Sequence, residues 1–236
     1  MPEAVIFDID NTLYDYTKYT EHSSNVVVDF ASRRYGIPEG EMKAAIQEGK
    51  RITKELLQEG AAQHSRVLFF QHALEVLHIN AIGAAWEMEE LYWGSMLQVI
   101  QPFAGVIEVL RNLKGKGLKL GICTDMTAAI QQRKLLRLGV SQYFDVMVCS
   151  EETGFEKPHD SMFRLSLQKL GAEAGRAVMV GDNWHKDIKG AIASGMYGAW
   201  YHAGGKCHIN DKAWQFSSYQ DGSLEQIIQC LSKQEG

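Results

Sequence analysis

The sequence predicts an α/β fold: a doubly wound parallel sheet whose first strand is followed by a large all-helical insertion. Three features predict it. A short apolar, β-prone run, Ala4-Val5-Ile6-Phe7, stands near the start of the chain and reads as a strand buried on both faces. Residues 16–97 then carry apolar positions at helical three- and four-residue spacing throughout. From Gly105 onward, short apolar runs alternate with amphipathic stretches that are stopped by glycine, the pattern of strand and helix in turn.

Element by element, Val26-Val27-Val28…Phe30-Ala31 and Val67-Leu68-Phe69-Phe70…Ala73-Leu74…Leu77 mark helical faces of the insertion. Gly36-Ile37-Pro38 separates its first two helices, and Gly83 is expected to end another. Residues 106–113 read as a helix and 118–123 as a strand. Residues 127–138 form a helix stopped by Gly139, followed by a strand over 146–149. Residues 161–170 form a helix stopped by Gly171, followed by a strand over 177–180. Residues 187–194 form a helix stopped by Gly195, followed by a strand over 199–201. Gly204-Gly205-Lys206 reads as a turn, the polar stretch to Asp211 as loop, and 224–231 as a closing helix. The expected division is an α/β core of residues 1–15 and 100–236, with a helical domain of 16–99. A structureless loop would not run to that length. Entering straight after the first strand, the insertion is placed as a lid over the ligand-binding edge, with Pro102 as its return hinge.

The strand ends carry the chemistry. Asp8 and Asp10 follow the first strand, and residues i and i+2 of a strand project to the same side. Two carboxylates there repel each other unless a cation or proton holds them. The second strand runs into Thr124-Asp125-Met126, the third leads to Lys157-Pro158, and the fourth into Gly181-Asp182-Asn183-Trp184-His185-Lys186-Asp187. Taken singly, Thr124, Asp125 and Asp187 read equally well as helix caps, and Lys157 as a solvated lysine. Pro158 suits the first position of the next helix. Together they occupy four successive strand ends of one parallel sheet, the edge at which such sheets bind ligands.

Composition narrows the function classes. The chain has 236 residues, 45% hydrophobic and 22% charged, large enough for one big domain or two modest ones. Its net charge of -5 and lack of a long cationic run give no reason to expect nucleic acid or an anionic membrane as partner. Cys123, Cys149, Cys207 and Cys230 show no CxxC pairing, so free thiols and a cytoplasmic setting are expected. His202, Cys207 and His208 are poorly spaced for zinc, and His64, His72 and His78 do not form pairs on one helix face.

The set Asp8-Ile9-Asp10-Asn11-Thr12, Thr124, Lys157-Pro158 and Gly181-Asp182…Asp187 resembles, in order and over essentially the whole chain, the haloacid dehalogenase-like (HAD) hydrolase superfamily. Asn11 stands where many members have glycine, and asparagine tolerates unusual backbone angles next best. The resemblance implies a Rossmann-like core with a helical cap, and a Mg2+-dependent phosphatase working through an aspartyl-phosphate. Asp8 is then the nucleophile, and Asp10 the acid for the leaving oxygen and later the base for water. Asp8, Asp182 and the backbone carbonyl of Asp10 hold the metal, with Asp187 behind them. Thr124, Lys157 and the amides near Asp125 and Met126 take the phosphoryl oxygens.

Several alternatives stay open at this stage. A dehalogenase needs neither the second acid nor Mg2+, and family dehalogenases lack the aspartate found here at Asp10. A phosphomutase of the same superfamily fits the same residues. A phospho-receiver domain needs an aspartate after the third strand, where residues 146–149 offer none, and a non-catalytic binding protein has no use for a complete set. The partner is expected to be a small phosphorylated metabolite, and the sequence does not decide between monomer and homodimer. Residues 127–132 and 143–152 are similar to the pyrimidine 5′-nucleotidase branch, which usually has Thr-Asn-Gly where this chain has Thr124-Asp125-Met126. A nucleoside 5′-monophosphate is expected as the substrate ahead of a sugar phosphate or phosphoglycolate. Tyr14, Tyr16 and Tyr19 either pack the cap or line a leaving-group pocket.

Overall fold

The computed structural model describes residues 2–202 and 207–231. They form two compact units, Met1–Asp15 with Gln101–Gly236, and Tyr16–Ile100.

The first unit is built on a seven-stranded sheet ordered β3-β2-β1-β4-β5-β7-β6. Its strands are β1 (Ala4–Phe7), β2 (Lys119–Thr124), β3 (Val146–Cys149), β4 (Ala177–Gly181), β5 (Tyr197–Tyr201), β6 (Cys207–Asn210) and β7 (Ala213–Phe216). All pairings are parallel except β6 with β7. β1 is central and all four of its residues are fully buried, which is why its sequence is continuously apolar rather than alternating. On one face Ala4, Ile6, Cys123 and Met179 pack against Met162, Phe163 and Ala191.

The second unit holds four long helices, α1 (Tyr16–Tyr35), α2 (Glu39–Leu57), α3 (Arg66–Val76) and α4 (Ala84–Val99). α2 packs on α3 and α1 on α4. Gly49 sits where α2 and α3 meet, and a Cβ there would run into the carbonyl of Phe69 and the amide of Ala73. The helices of the first unit are α5 (Val106–Gly115), α6 (Ala128–Arg137), α7 (Ser150–Thr153), α8 (Asp160–Leu170), α9 (Gly190–Ala193) and α10 (Ser223–Leu231). Among the described residues no helix is long and apolar enough to cross a membrane.

Four expectations are corrected. The stretch up to Asp211 is not all loop: β6 lies there and pairs with β7 just beyond it, where Trp214 and Phe216 are buried, and each strand is only four residues long. The expected turn at 204–206 lies outside the described residues. Gly83 begins α4, at φ 80°, instead of ending α3, which stops at Val76. α8 starts at Asp160 with His159 as its cap, so Pro158 precedes the helix. The segment expected as one helix over 187–194 opens with a wide π turn, Trp184–Lys189, before α9.

Gly49→Ala should lower the unfolding free energy by about 2 kcal/mol or more, because both obstructing groups are backbone and cannot rotate away. Urea denaturation checks this, and an unchanged midpoint would contradict the close approach of α2 and α3.

Candidate active site

Parallel register assembles the site. Phe7 pairs with Ile122 on one side and Val180 on the other, so Asp8 emerges level with Cys123 and Gly181. Its own amide continues the ladder, donating to the Val180 carbonyl at 2.9 Å. Thr124 and Asp182 follow one residue later on the flanking strands. They share a cleft of about 180 Å3 with Asp8, Asp10, Asn11, Asp125, Lys157, Asn183, Lys186 and Asp187.

At its base lies a buried lysine between acids. Lys157 Nζ is 2.6 Å from Asp8 Oδ1 and 2.7 Å from Asp187 Oδ1, and all three residues are nearly inaccessible. Carboxylate oxygens of Asp8, Asp182 and Asp187 lie within 4.8 Å of one another. One ammonium does not balance three carboxylates. Burial pushes the Asp8 carboxyl up to about 8 against the pull of Lys157, with Asp187, Asp10 and Asp182 adding to the rise. Asp182 rises to about 6 through burial and the charge of Asp187. Burial would lower the proton affinity of Lys157, but Asp187 and Asp8 hold it well above the ordinary value. An all-oxygen donor set carrying excess negative charge suits a hard divalent cation.

Asp187 is fixed from both sides. Its Oδ2 accepts from the Asn183 amide at 2.9 Å, and Gly181 leaves it room, since a Cβ there would overlap the Asp187 carboxylate. Asn183 is the helix cap, accepting from the amides of His185 and Lys186, so Asp187 is released from the capping role that its sequence position also allowed. Asp182 is held by Thr12, whose hydroxyl accepts from the Asp182 amide at 3.0 Å. The buried Tyr219 hydroxyl in turn donates to the Thr12 carbonyl at 2.9 Å.

Asp10 stands apart from the carboxylate cluster. Lys134 Nζ lies 2.8 and 2.9 Å from its two oxygens, the Tyr14 hydroxyl donates at 2.7 Å, and Gln131 Nε2 lies 3.4 Å away. Burial alone would raise its pKa. The charge and hydrogen bonds of Lys134, helped by Tyr14 and Gln131, hold it below the usual carboxylate range. Gln131 also donates to Thr124 Oγ1 at 2.7 Å, tying the hydroxyl to the acid.

Asp125 accepts from the Lys157 amide at 3.0 Å and from Lys186 Nζ at 2.8 Å, while Lys186 also reaches Glu156 at 3.0 Å. Asp125 therefore anchors the Lys157 loop instead of capping α6, whose first amide, that of Ala128, is taken by Glu151 at 2.7 Å. Met126 adopts φ 80°, the backbone setting for which the nucleotidase branch's glycine is suited, and Ser150 donates to its carbonyl at 3.2 Å. Asn11 adopts φ 59°. Trp184, which lies between Asp182 and Asp187 in the chain, packs on Trp200, and His202 stacks on the same ring.

Lys134, Gln131, Lys186 and Tyr219 were not among the candidates read from the sequence, and Tyr14 was weighed there only for cap packing or a leaving-group pocket, not as a partner of Asp10. For Lys134 a signal existed: it stands at i+4 from Ile130 and i−4 from Leu138, a lysine inside the buried stripe of α6. Lys134→Met should cost about 3 kcal/mol of stability, because it strands a buried carboxylate. Lys134→Met combined with Asp10→Asn should cost less than Lys134→Met alone. Thermal and urea unfolding of the pair decide it, and strictly additive losses would show the two groups to be uncoupled.

The family model for haloacid dehalogenase-like hydrolase matches residues 2–195. The chain is 38% identical over 199 residues to a ribulose-1,5-bisphosphate 5-phosphatase of Halopiger xanaduensis, covering 83% of each protein. It is 29% identical to the Escherichia coli pyrimidine 5′-nucleotidase YjjG, over 95% of this chain and 96% of that one. Among solved structures, a HAD phosphatase from Thermococcus onnurineus superposes with a TM-score of 0.72 at 26% identity, covering 96% of this chain and 97% of the other. The chain belongs to the haloacid dehalogenase-like hydrolase family.

Proposed function

We propose that this protein is a Mg2+-dependent phosphatase that hydrolyses a small phosphomonoester through an aspartyl-phosphate. The observation that carries the reading is the crowding of Asp8, Asp182 and Asp187 around one buried lysine at the sheet edge. Such a cluster is repulsive by itself and suited to receiving a cation and an anion together. Asp8, Asp182 and the Asp10 carbonyl are the ligands we assign to Mg2+, with Asp187 close enough to join them. The ion would neutralise charge between the attacking carboxylate and the dianionic ester.

The remaining roles fall to the chain's own groups. Asp8 attacks phosphorus, and the bond to the leaving oxygen breaks. Lys157 holds Asp8 in place and, with the Thr124 hydroxyl, faces the phosphoryl oxygens. Asp10, held ionised by Lys134, is ready to take a proton from the hydrolytic water. A dianionic ester arriving beside it raises its proton affinity, as any like charge does, and so equips it to protonate the leaving oxygen first. Asp10 is also what separates this site from the dehalogenase chemistry of the same superfamily.

For the substrate, we read a sugar phosphate ahead of a nucleoside 5′-monophosphate, supported by the higher identity to the bisphosphate phosphatase. The nucleotidase reading is supported by the nearly full-length match to YjjG. A sugar-phosphate mutase remains the second reaction class. The buried thiols of Cys123 and Cys149 support a reducing, cytoplasmic setting.

Asp8→Asn should keep the fold and lose about three orders of magnitude or more in hydrolysis of an aryl phosphate. Phosphate release with Mg2+ and with EDTA checks this, and activity persisting in either the variant or the chelator would overturn the mechanism. A phosphorylated-metabolite panel in the same assay ranks sugar phosphates against UMP and dTMP.

The acidic cluster also makes a stability prediction. The Asp182 carboxyl binds its proton more tightly folded, at about 6, than at the ordinary value of 3.8. Its favourable contribution is thus present at low pH and lost as pH rises through about 6. In EDTA above that pH, Asp182→Asn should therefore melt higher than the native protein. Mg2+ should raise the melting temperature of the native protein and do so much less for the variant. A variant that melts lower in EDTA and responds equally to Mg2+ would contradict the assignment.

A further inference from the structure

The helical unit contains a second cavity, of about 290 Å3, enclosed by its own four helices. Its floor is aromatic and buried: Phe69, Phe70 and Tyr92, with the Arg66 guanidinium set over Phe69, Tyr92 and Trp93 at 5.0–5.1 Å from the ring centroids. Arg66 is locked in place by donating to the His64 carbonyl at 2.7 Å and to the Tyr16 hydroxyl. The rim is polar and cationic. Lys43, Gln47 and Lys50 stand at i, i+4 and i+7 of α2, so one face of that helix presents two lysines to the opening.

The charges do not cancel. Three basic side chains line the cavity against one acid, Glu21. Of the acids of α2, Glu48 and Glu55 are taken by Arg51, and none of its four glutamates lines the cavity. Among the described residues, neither Lys43 nor Lys50 has a hydrogen bond or ion pair within the protein. Partial burial of its side chain together with the nearby charges of Lys54 and Arg66 lowers the proton affinity of Lys50, as expected of a cation at the rim of an under-neutralised pocket. Thr20, Ser24 and Asn25 of α1 add hydroxyl and amide groups on the opposite wall. The volume is close to the roughly 300 Å3 at which small-molecule pockets begin.

We infer that this cavity is an anion subsite for a phosphorylated small metabolite, with Lys43, Lys50 and Arg66 facing its phosphate and the aromatic floor its carbon skeleton. The ligand is a phosphorylated effector, separate from the ester read as substrate at the sheet edge, so the inference stands independently of the phosphatase reading.

Lys43 and Lys50 are both exposed, so the double variant Lys43→Gln/Lys50→Gln tests the site without opening the core. Ribulose 1,5-bisphosphate is the probe. In EDTA, where no turnover is needed, it should raise the melting temperature of the native protein, and the double variant should lose most of that rise. In Mg2+, KM for p-nitrophenyl phosphate should be the same for the native protein and the variant, which locates the lost shift in the cavity and not at the sheet edge. An unchanged melting shift in the variant, or no shift in the native protein, overturns the inference. Failure of the phosphatase reading shows itself differently, as no turnover of p-nitrophenyl phosphate by the native protein.

Discussion

The site depends on the contact between Lys157 and the carboxylates of Asp8 and Asp187. It lies at the end of the central strand, out of reach of solvent, where an unpaired charge would cost several kcal/mol. One ammonium holds two acids together, while a third, Asp182, sits close by with no cation of its own shown. In the proposed phosphatase reading this surplus charge is the functional feature: it would make the binding of a divalent cation with an anionic ester favourable, at a local cost in stability.

Much of the surrounding architecture serves to hold that surplus in place. The parallel register brings three strand ends level. Asn183 and the bare backbone of Gly181 give Asp187 its position, and the Tyr219–Thr12 chain steadies Asp182 from behind. Asp125 and Lys186 anchor the loop that delivers Lys157. These supports are hydrogen bonds to backbone or to buried groups, which fix orientation better than exposed ion pairs do.

Asp10 is governed by a separate electrostatic arrangement. Lys134, Tyr14 and Gln131 keep it ionised and aimed, and Gln131 links it to Thr124. The two acids of the first motif therefore have opposite environments, Asp8 raised in proton affinity and Asp10 lowered. Neighbouring carboxylates with different tasks are expected to be separated in this way.

The sequence by itself determined the parallel strands, their ends and the polar residues that gather there, because buried parallel strands must be continuously apolar and a polar residue at their ends is conspicuous. It also revealed the helical insertion, through periodicity. It did not reveal the β6–β7 hairpin, whose four-residue strands are too short for their alternation to stand out from loop, or the π turn at 184–189, which lies where an ordinary helix was expected to begin. Only the tertiary structure decided that Asp187 joins the carboxylates while Asn183 caps the helix, since either could do both locally. It alone decided that Lys134 and Tyr219 serve the site, because their partners, Asp10 and Thr12, are 124 and 207 residues away in the chain. Such pairings are set by how strands and helices stack, and no local pattern encodes them.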